Sequence, residues 1–218
     1  METKDIITII ISSVALIFSI YSIWISNLKP FKLKIYNDAP VFTLYKITPQ
    51  ISGNKNGETW WIPSFDVGIS FNNIGKQSGV INDIRIRCTP KKKKVDKVFY
   101  FYAKWVVKYS TLQKLRTNRM KWANEAIIRE WFSTILPGNS SKNLHIILEN
   151  DNDRWDNKFE GLFDANLEVK TSKSKKWIKL SNFEMPIFKN MFEEKSSYTL
   201  RIKNLKIIKS PTNTSKPV

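Results

Sequence analysis

Cysteine and histidine are almost missing from this chain, and each near-absence closes off chemistry. Among 218 residues there is one cysteine, Cys88, and one histidine, His145. A lone thiol forms no intrachain disulfide, which an exported domain of this size often uses, so the composition fits a reducing compartment. A lone imidazole means that a metal site or base-activated nucleophile using histidine would rest on His145 alone. Acidic residues are scarce too: 19 Asp and Glu stand against 36 Lys and Arg, a formal charge of +17. That excess is not electrically indifferent and looks for an anionic partner or a solvated surface.

What the chain does contain is a long uncharged run at its start. Ile6 to Ile25 reads IITIIISSVALIFSIYSIWI, and twenty such residues as a helix measure roughly 30 Å, the thickness of a bilayer's hydrocarbon core. The segment 6–26 is therefore expected to be a transmembrane helix, preceded by a short tail at 1–5. A cleaved secretory signal would need a basic leader, a shorter core and small residues before the cut. Here Lys4 is offset by Glu2 and Asp5, and Trp24 stands where a small residue is wanted. Tyr21 and Trp24 instead suit an aromatic belt at the membrane interface.

Flanking charge gives the span a direction. Lys29, Lys32 and Lys34 follow it, and lysines near a span stay on the cytoplasmic side. The expected location is the cell membrane, single-pass, with the N-terminus outside and the C-terminal domain cytoplasmic. Abundant Lys, Ile and Asn suggest an A/T-rich, bacterial coding sequence, in which the glycosylation patterns at Asn139 and Asn213 carry no meaning.

Residues 27–30 form a linker that reaches at most about 14 Å, so the following domain, 31–209, is held against the bilayer. Its patterning is mainly β. Phe31, Leu33 and Ile35 alternate with lysines; Phe65, Val67, Ile69 and Phe71 share one face, as do Ile84, Ile86 and Cys88, while Arg85 and Arg87 face away. Between the latter two strands, Asn72 to Gly79 reads as a hairpin or sandwich-edge turn in which Gly75 and Gly79 supply positive φ. Further strands are expected at Val98–Val107, Leu144–Leu148, Ala165–Val169, Trp177–Leu180 and Tyr198–Ile208. One helical insertion is expected over 111–132, from the spacing of Leu112, Leu115, Met120, Ala123, Ile127 and Trp131, with Ser110 and Gln113 as a capping box. The tail 210–218 is too polar to bury a core and is expected to be disordered.

The run Val67-Gly-Ile-Ser-Phe-Asn-Asn-Ile-Gly-Lys-Gln-Ser-Gly-Val-Ile-Asn-Asp-Ile84, with Ile135-Leu-Pro-Gly-Asn-Ser140, resembles the strand, Asn-x-Gly turn, strand and Pro-Gly turn of immunoglobulin-like modules in uncharacterised bacterial membrane-anchored proteins. That resemblance covers about a third of the domain and implies an antiparallel immunoglobulin-like β-sandwich. Such modules bind or space other molecules and share no single activity.

No catalytic residue, cofactor-binding residue or metal ligand stands out, and no cofactor is implied. His145 reads as a half-buried strand residue, and Asp151, Asp153, Asp156 and Glu160 lack the glycine and closing glutamate of a helix-loop-helix calcium loop. The sequence points instead to a membrane-surface binding or scaffolding module, with a membrane-anchored enzyme or effector as the alternative class. Its expected partners are the bilayer and anionic lipid headgroups, contacted by Lys29, Lys32 and Lys34. A stripe of small residues in the span, Thr8, Ser12, Ala15, Ser19, Ser22 and Ser26, points to a homo-oligomer or a partner's transmembrane helix. Nucleic acid is the weaker alternative, suggested by Tyr100, Tyr102 and Lys104 on one strand face.

Overall fold

The apolar run folds as a helix, α1 (Thr3–Ile23), which continues through a wide π turn over Trp24–Leu28. The continuous helical segment of 26 residues is long and apolar enough to cross a membrane, and none of its most apolar stretch is buried in the protein. This is a computed structural model; it describes residues 3–47, 60–91, 97–115, 125–150, 155, 159–193, 197–202 and 205–207. The expected disordered tail at 210–218 lies outside them.

The rest is mainly β. Strands β1 (Leu33–Asn37), β2 (Val41–Ile47), β3 (Trp60–Asn73), β4 (Gly79–Pro90) and β5 (Phe99–Val107) precede a short helix, α2 (Tyr109–Leu115). Then come β6 (Ile127–Glu130), β7 (Thr134–Leu136), β8 (Ser141–Glu149), β9 (Gly161–Thr171), β10 (Ser174–Ile187), β11 (Ser197–Arg201) and β12 (Leu205–Ile207). All pair antiparallel in one sheet of order β11-β2-β3-β8-β5-β4-β9-β10-β12, with β1 on β3, β6 on β5 and β7 on β4.

The sheet curls on itself. Asn37 of β1 donates to the Ser181 hydroxyl of β10 at 3.3 Å, and the rings of Phe65 (β3) and Phe183 (β10) meet at 6.0 Å. The C-terminal strands make the same point by connectivity. Arg201 pairs on the β2 edge and Leu205 on the β10 edge, and four residue steps reach at most about 14 Å. The expected single strand at Tyr198–Ile208 is thus two strands that stitch opposite edges, broken at the buried Ile202.

Inside the curl lies an aromatic core. Phe42, Phe65, Phe99, Phe101, Phe163 and Phe183 are at most 1 % exposed. Trp155, also buried, contacts Phe42, Phe99, Phe101 and Phe163, and its backbone N–H donates to the carbonyl of Trp61 at 3.1 Å. These pairs are tilted or edge-on, and aromatic pairs add about 0.5–1.5 kcal/mol each beyond burial.

Three sequence expectations change. β3 and β4 bury the faces that their alternation assigned, but they do not pair with each other: β8 and β5 stand between them, so the connection is not a hairpin. Period two reports which face is inward and says nothing about the neighbour. Gly75 and Gly79 do not adopt positive φ; among the described residues only Gly161 and Asn139 do. They are needed because a Cβ at Gly75 would overlap the Pro30 carbonyl, and one at Gly79 the Phe31 ring. Of the helix expected over 111–132, residues 116–124 lie outside the described ones; helix is seen at Tyr109–Leu115, beginning before Ser110, while Ile127–Glu130 is a strand paired with β5. The apolar positions Ile127 and Leu112 serve one small cluster with Val107, Ala126 and Ile147 from two different elements.

Candidate functional site: the lysine-rich end of the sheet

The helix does not hang from the domain; it is built into it. The Lys29 carbonyl, at the end of the π turn, accepts from the backbone N–H of Lys76 at 2.9 Å and of Gln77 at 3.1 Å. The Ile74 N–H bonds the Lys32 carbonyl at 2.9 Å, and Phe31, only 9 % exposed, seals against Gly79. A linker at 27–30 was the expectation, but the hydrogen bonding places Lys29 already inside the fold.

Asn73, 2 % exposed, is the hub of this end. Its Nδ2 donates to the Gln77 and Pro137 carbonyls, both at 2.9 Å, and to that of Leu136 at 3.3 Å. Its Oδ1 accepts from the N–H of Gly75 at 2.9 Å and of Lys32 at 3.3 Å. One side chain therefore ties together the helix exit, the 74–79 connection and the 136–140 turn. The turn between β9 and β10 joins them through Ser172, which bonds Val80 both ways at 2.9 and 3.1 Å, and through Lys173 Nζ, 3.4 Å from Gln77 Oε1.

These converging segments are rich in lysine. Lys32, Lys34, Lys76, Lys173, Lys175 and Lys176 are exposed, and Lys29 and Lys142 are half-exposed. No Asp or Glu occurs in 21–37, 67–82, 131–148 or 169–183, the stretches that build this end. Carboxylates gather toward the opposite end, where Lys91 is paired with Asp164 at 3.3 Å and, more closely, with Glu184. The Glu184 hydrogen bond holds the Lys91 ammonium above its usual range and the Glu184 carboxyl below its own. The lysines of these acid-free stretches form a collar around the point where α1 leaves the domain.

The other sequence candidates scatter. The small-residue stripe of Thr8, Ser12, Ala15, Ser19, Ser22 and Ser26 is exposed along the helical segment, and two of its hydroxyls are satisfied within the helix, Thr8 by the Lys4 carbonyl and Ser19 by that of Ala15, both at 2.9 Å. His145 Nε2 lies 3.1 Å from Asp66 Oδ1, and its ring packs 4.4 Å from that of Tyr109. The imidazole lines an open cleft of about 470 Å³ with Tyr36, Asp38, Ser70 and Asn143. Glycine at 68 lets the Asp38 carboxylate lie across β3 beside it. A carboxylate-held imidazole is part of a base-activated nucleophile, yet among the described residues no Ser, Thr or Cys side chain bonds to His145. Cys88 offers no nucleophile either: it is fully buried, and burial pushes its thiol far above the usual range.

No three His, Cys, Asp or Glu side chains gather as a metal site among the described residues. Asp151, Asp153 and Asp156 lie outside those residues, and Glu160 is exposed. Tyr100 and Tyr102 do face outward together, but an irregularity between Ala103 and Trp105 ends the alternation that grouped Lys104 with them. Sequence reading missed Asn73 and the collar members from distant segments. The signal available was the absence of acidic residues from four separate turn-bearing stretches, which means little until topology brings them together.

The class that fold and site define is a mainly β protein with an apolar N-terminal helix and a curled antiparallel sheet, basic at the helix end. No family model matches the chain, and no curated protein does. Among solved structures it is similar to a protein from Bordetella pertussis described as ApaA, at 10% identity over 79% of this chain and 95% of that one. The TM-score is 0.29, at which the likeness carries no argument about fold or function.

Proposed function

We propose that this is a single-pass membrane protein whose basic domain acts as a binding or scaffolding module seated on the bilayer surface, with the collar lysines against anionic lipid headgroups. The observation that carries the reading is the hydrogen bonding of the Lys29 carbonyl to Lys76 and Gln77, which leaves no slack between helix and domain. A span ending at Leu28 then brings Lys29, Lys32, Lys76 and Lys173 within a Debye length of the headgroups, where each contributes about 1 kcal/mol on an anionic leaflet. In this reading the N-terminus is outside and the domain cytoplasmic, since the lysines next to the span are those retained inside. The immunoglobulin-like assignment of the curled sheet belongs to the same proposal, as does lateral pairing of spans through the Ser12 and Ser19 face. An enzymatic role centred on His145 is the lesser reading.

Two measurements on the full chain test it. Resistance to alkaline carbonate extraction is expected of a true span, and release into the soluble fraction removes the anchor. In nanodiscs, the amides of 74–79 and 172–174 are expected to exchange more slowly with phosphatidylglycerol present than in phosphatidylcholine alone, an effect lost in high salt. Equal exchange in both lipids refutes the docking.

A further inference from the structure

The outward face of β5, β4, β9 and β10 holds a second cationic group that the collar does not use. Arg85 donates to Glu168 through Nη2 and Nε, both at 2.8 Å. Its guanidinium sits between two rings, 4.8 Å from Tyr100 and 4.0 Å from Trp177. Tyr102 lies beside Tyr100 in a stacked pair at 6.3 Å and tilts toward Trp177 at 6.5 Å, and 43 % of it is exposed. Arg85 and Glu168 therefore form a fixed floor from which ring surface is open to solvent.

Arg87 is the unfinished part of this arrangement. It reaches the same carboxylate only at 3.9 Å, and its Nε is buried with no hydrogen-bond partner. One glutamate shared by two arginines leaves a surplus positive charge, and the 36 % of the Arg87 side chain that is exposed presents it to solvent. The neighbouring strand adds charge of the same sign, because Lys179 stands in register with Glu168 and is exposed. A simple anion would satisfy Arg87 and ignore the rings; an aromatic apolar ligand would do the reverse. A base carrying a phosphate uses both, since guanidinium matches phosphate oxygens and bases stack on aromatic faces.

We propose that this face binds a nucleotide unit, its base stacked on Tyr102 and Trp177 and its phosphate accepting from Arg87. The unit is either a free mononucleotide or part of a single strand, and the experiment separates the two. The full chain is held in phosphatidylcholine nanodiscs, which keeps anionic lipid out of the measurement. Fluorescence anisotropy follows a labelled oligothymidylate and an abasic strand with the same number of phosphates, and tryptophan fluorescence follows adenosine monophosphate.

The base-containing strand is expected to bind at least about fivefold more tightly than the abasic one. Tyr102→Ala abolishes that difference and Tyr102→Phe keeps it, whereas Arg87→Gln weakens every probe and flattens the salt dependence. Saturable binding of the mononucleotide with no gain from the strand assigns a free nucleotide; strand binding alone assigns single-stranded nucleic acid. Equal affinity for abasic and base-containing strands in the unaltered chain, with no mononucleotide binding, overturns the proposal. So does a folded Tyr102→Ala protein that binds every probe as before.

Discussion

Replacing Asn73 by alanine tests whether one buried amide holds the helix end of the domain together. The side chain is 2 % exposed and makes three bonds at 2.9 Å, to the Gln77 and Pro137 carbonyls and from the Gly75 N–H. The bond from the Gly75 N–H is buried, so water does not replace the lost acceptor, and an orphaned donor there costs about 1–3 kcal/mol. The two carbonyls are only partly buried, so each lost bond costs about 0.5–1.5 kcal/mol. Together Asn73→Ala is expected to destabilise the domain by about 2–6 kcal/mol, which for a chain of this size lowers Tm by about 5–20 °C. Asn73→Asp should lose as much, because it retains the acceptor for Gly75 but turns an oxygen toward carbonyls. Thermal unfolding of the full chain in detergent can be followed by the reactivity of Cys88, which is buried and reacts only as the domain opens. Amide exchange at Lys76 and Gln77 reports the helix junction separately, since both donate to Lys29. A Tm within about a degree of the unaltered protein, or a lowered Tm with undiminished protection of those two amides, would refute the hub.

Further substitutions probe buried charge. Burial holds the Asp83 carboxyl above the usual carboxylate range, although the Ile84 N–H and the charges of Arg85 and Lys170 pull it down. A raised folded-state pKa contributes stability that is full below the unfolded pKa and lost as pH rises through the folded one. Asp83→Asn keeps an oxygen for the Ile84 N–H, bonded at 2.8 Å, so it should raise Tm at neutral pH and bring no gain in acid; a pH-independent difference would contradict this. Glu168, whose side chain is 3 % exposed, neutralises Arg85. Glu168→Ala should cost about 3–5 kcal/mol in urea unfolding, and Arg85→Met with Glu168→Leu much less; a single substitution costing under about 1 kcal/mol would show that the pair is not desolvated.

Much of the local structure was legible because it follows from short-range periodicity. The charge-free run from Ile6 reads as a spanning helix, and the alternations at Phe65 to Phe71 and Ile84 to Cys88 name the buried faces that the structure shows. Arg85 and Arg87 were rightly turned outward. The failures are all of longer range. The hairpin at Asn72–Gly79 joins strands that the sheet separates, and the glycines there answer to packing from residues 30 and 31. Helical spacing after Leu112 ran through a segment that ends as a strand beside β5.

By itself the sequence determined the apolar helix, the excess of lysine, the β character and which residues point inward, because each depends on residues a few positions apart. Only the tertiary structure decided strand order, the curl, and what meets at each end. Lys76, Lys142 and Lys173 become neighbours of the helix exit because antiparallel strands return their turns to one end, and Asn73 then bonds segments 41 and 64 positions away. The grouping of Arg87, Tyr102 and Trp177 has the same origin: it is a property of strand register, which side-chain alternation within any one strand does not specify.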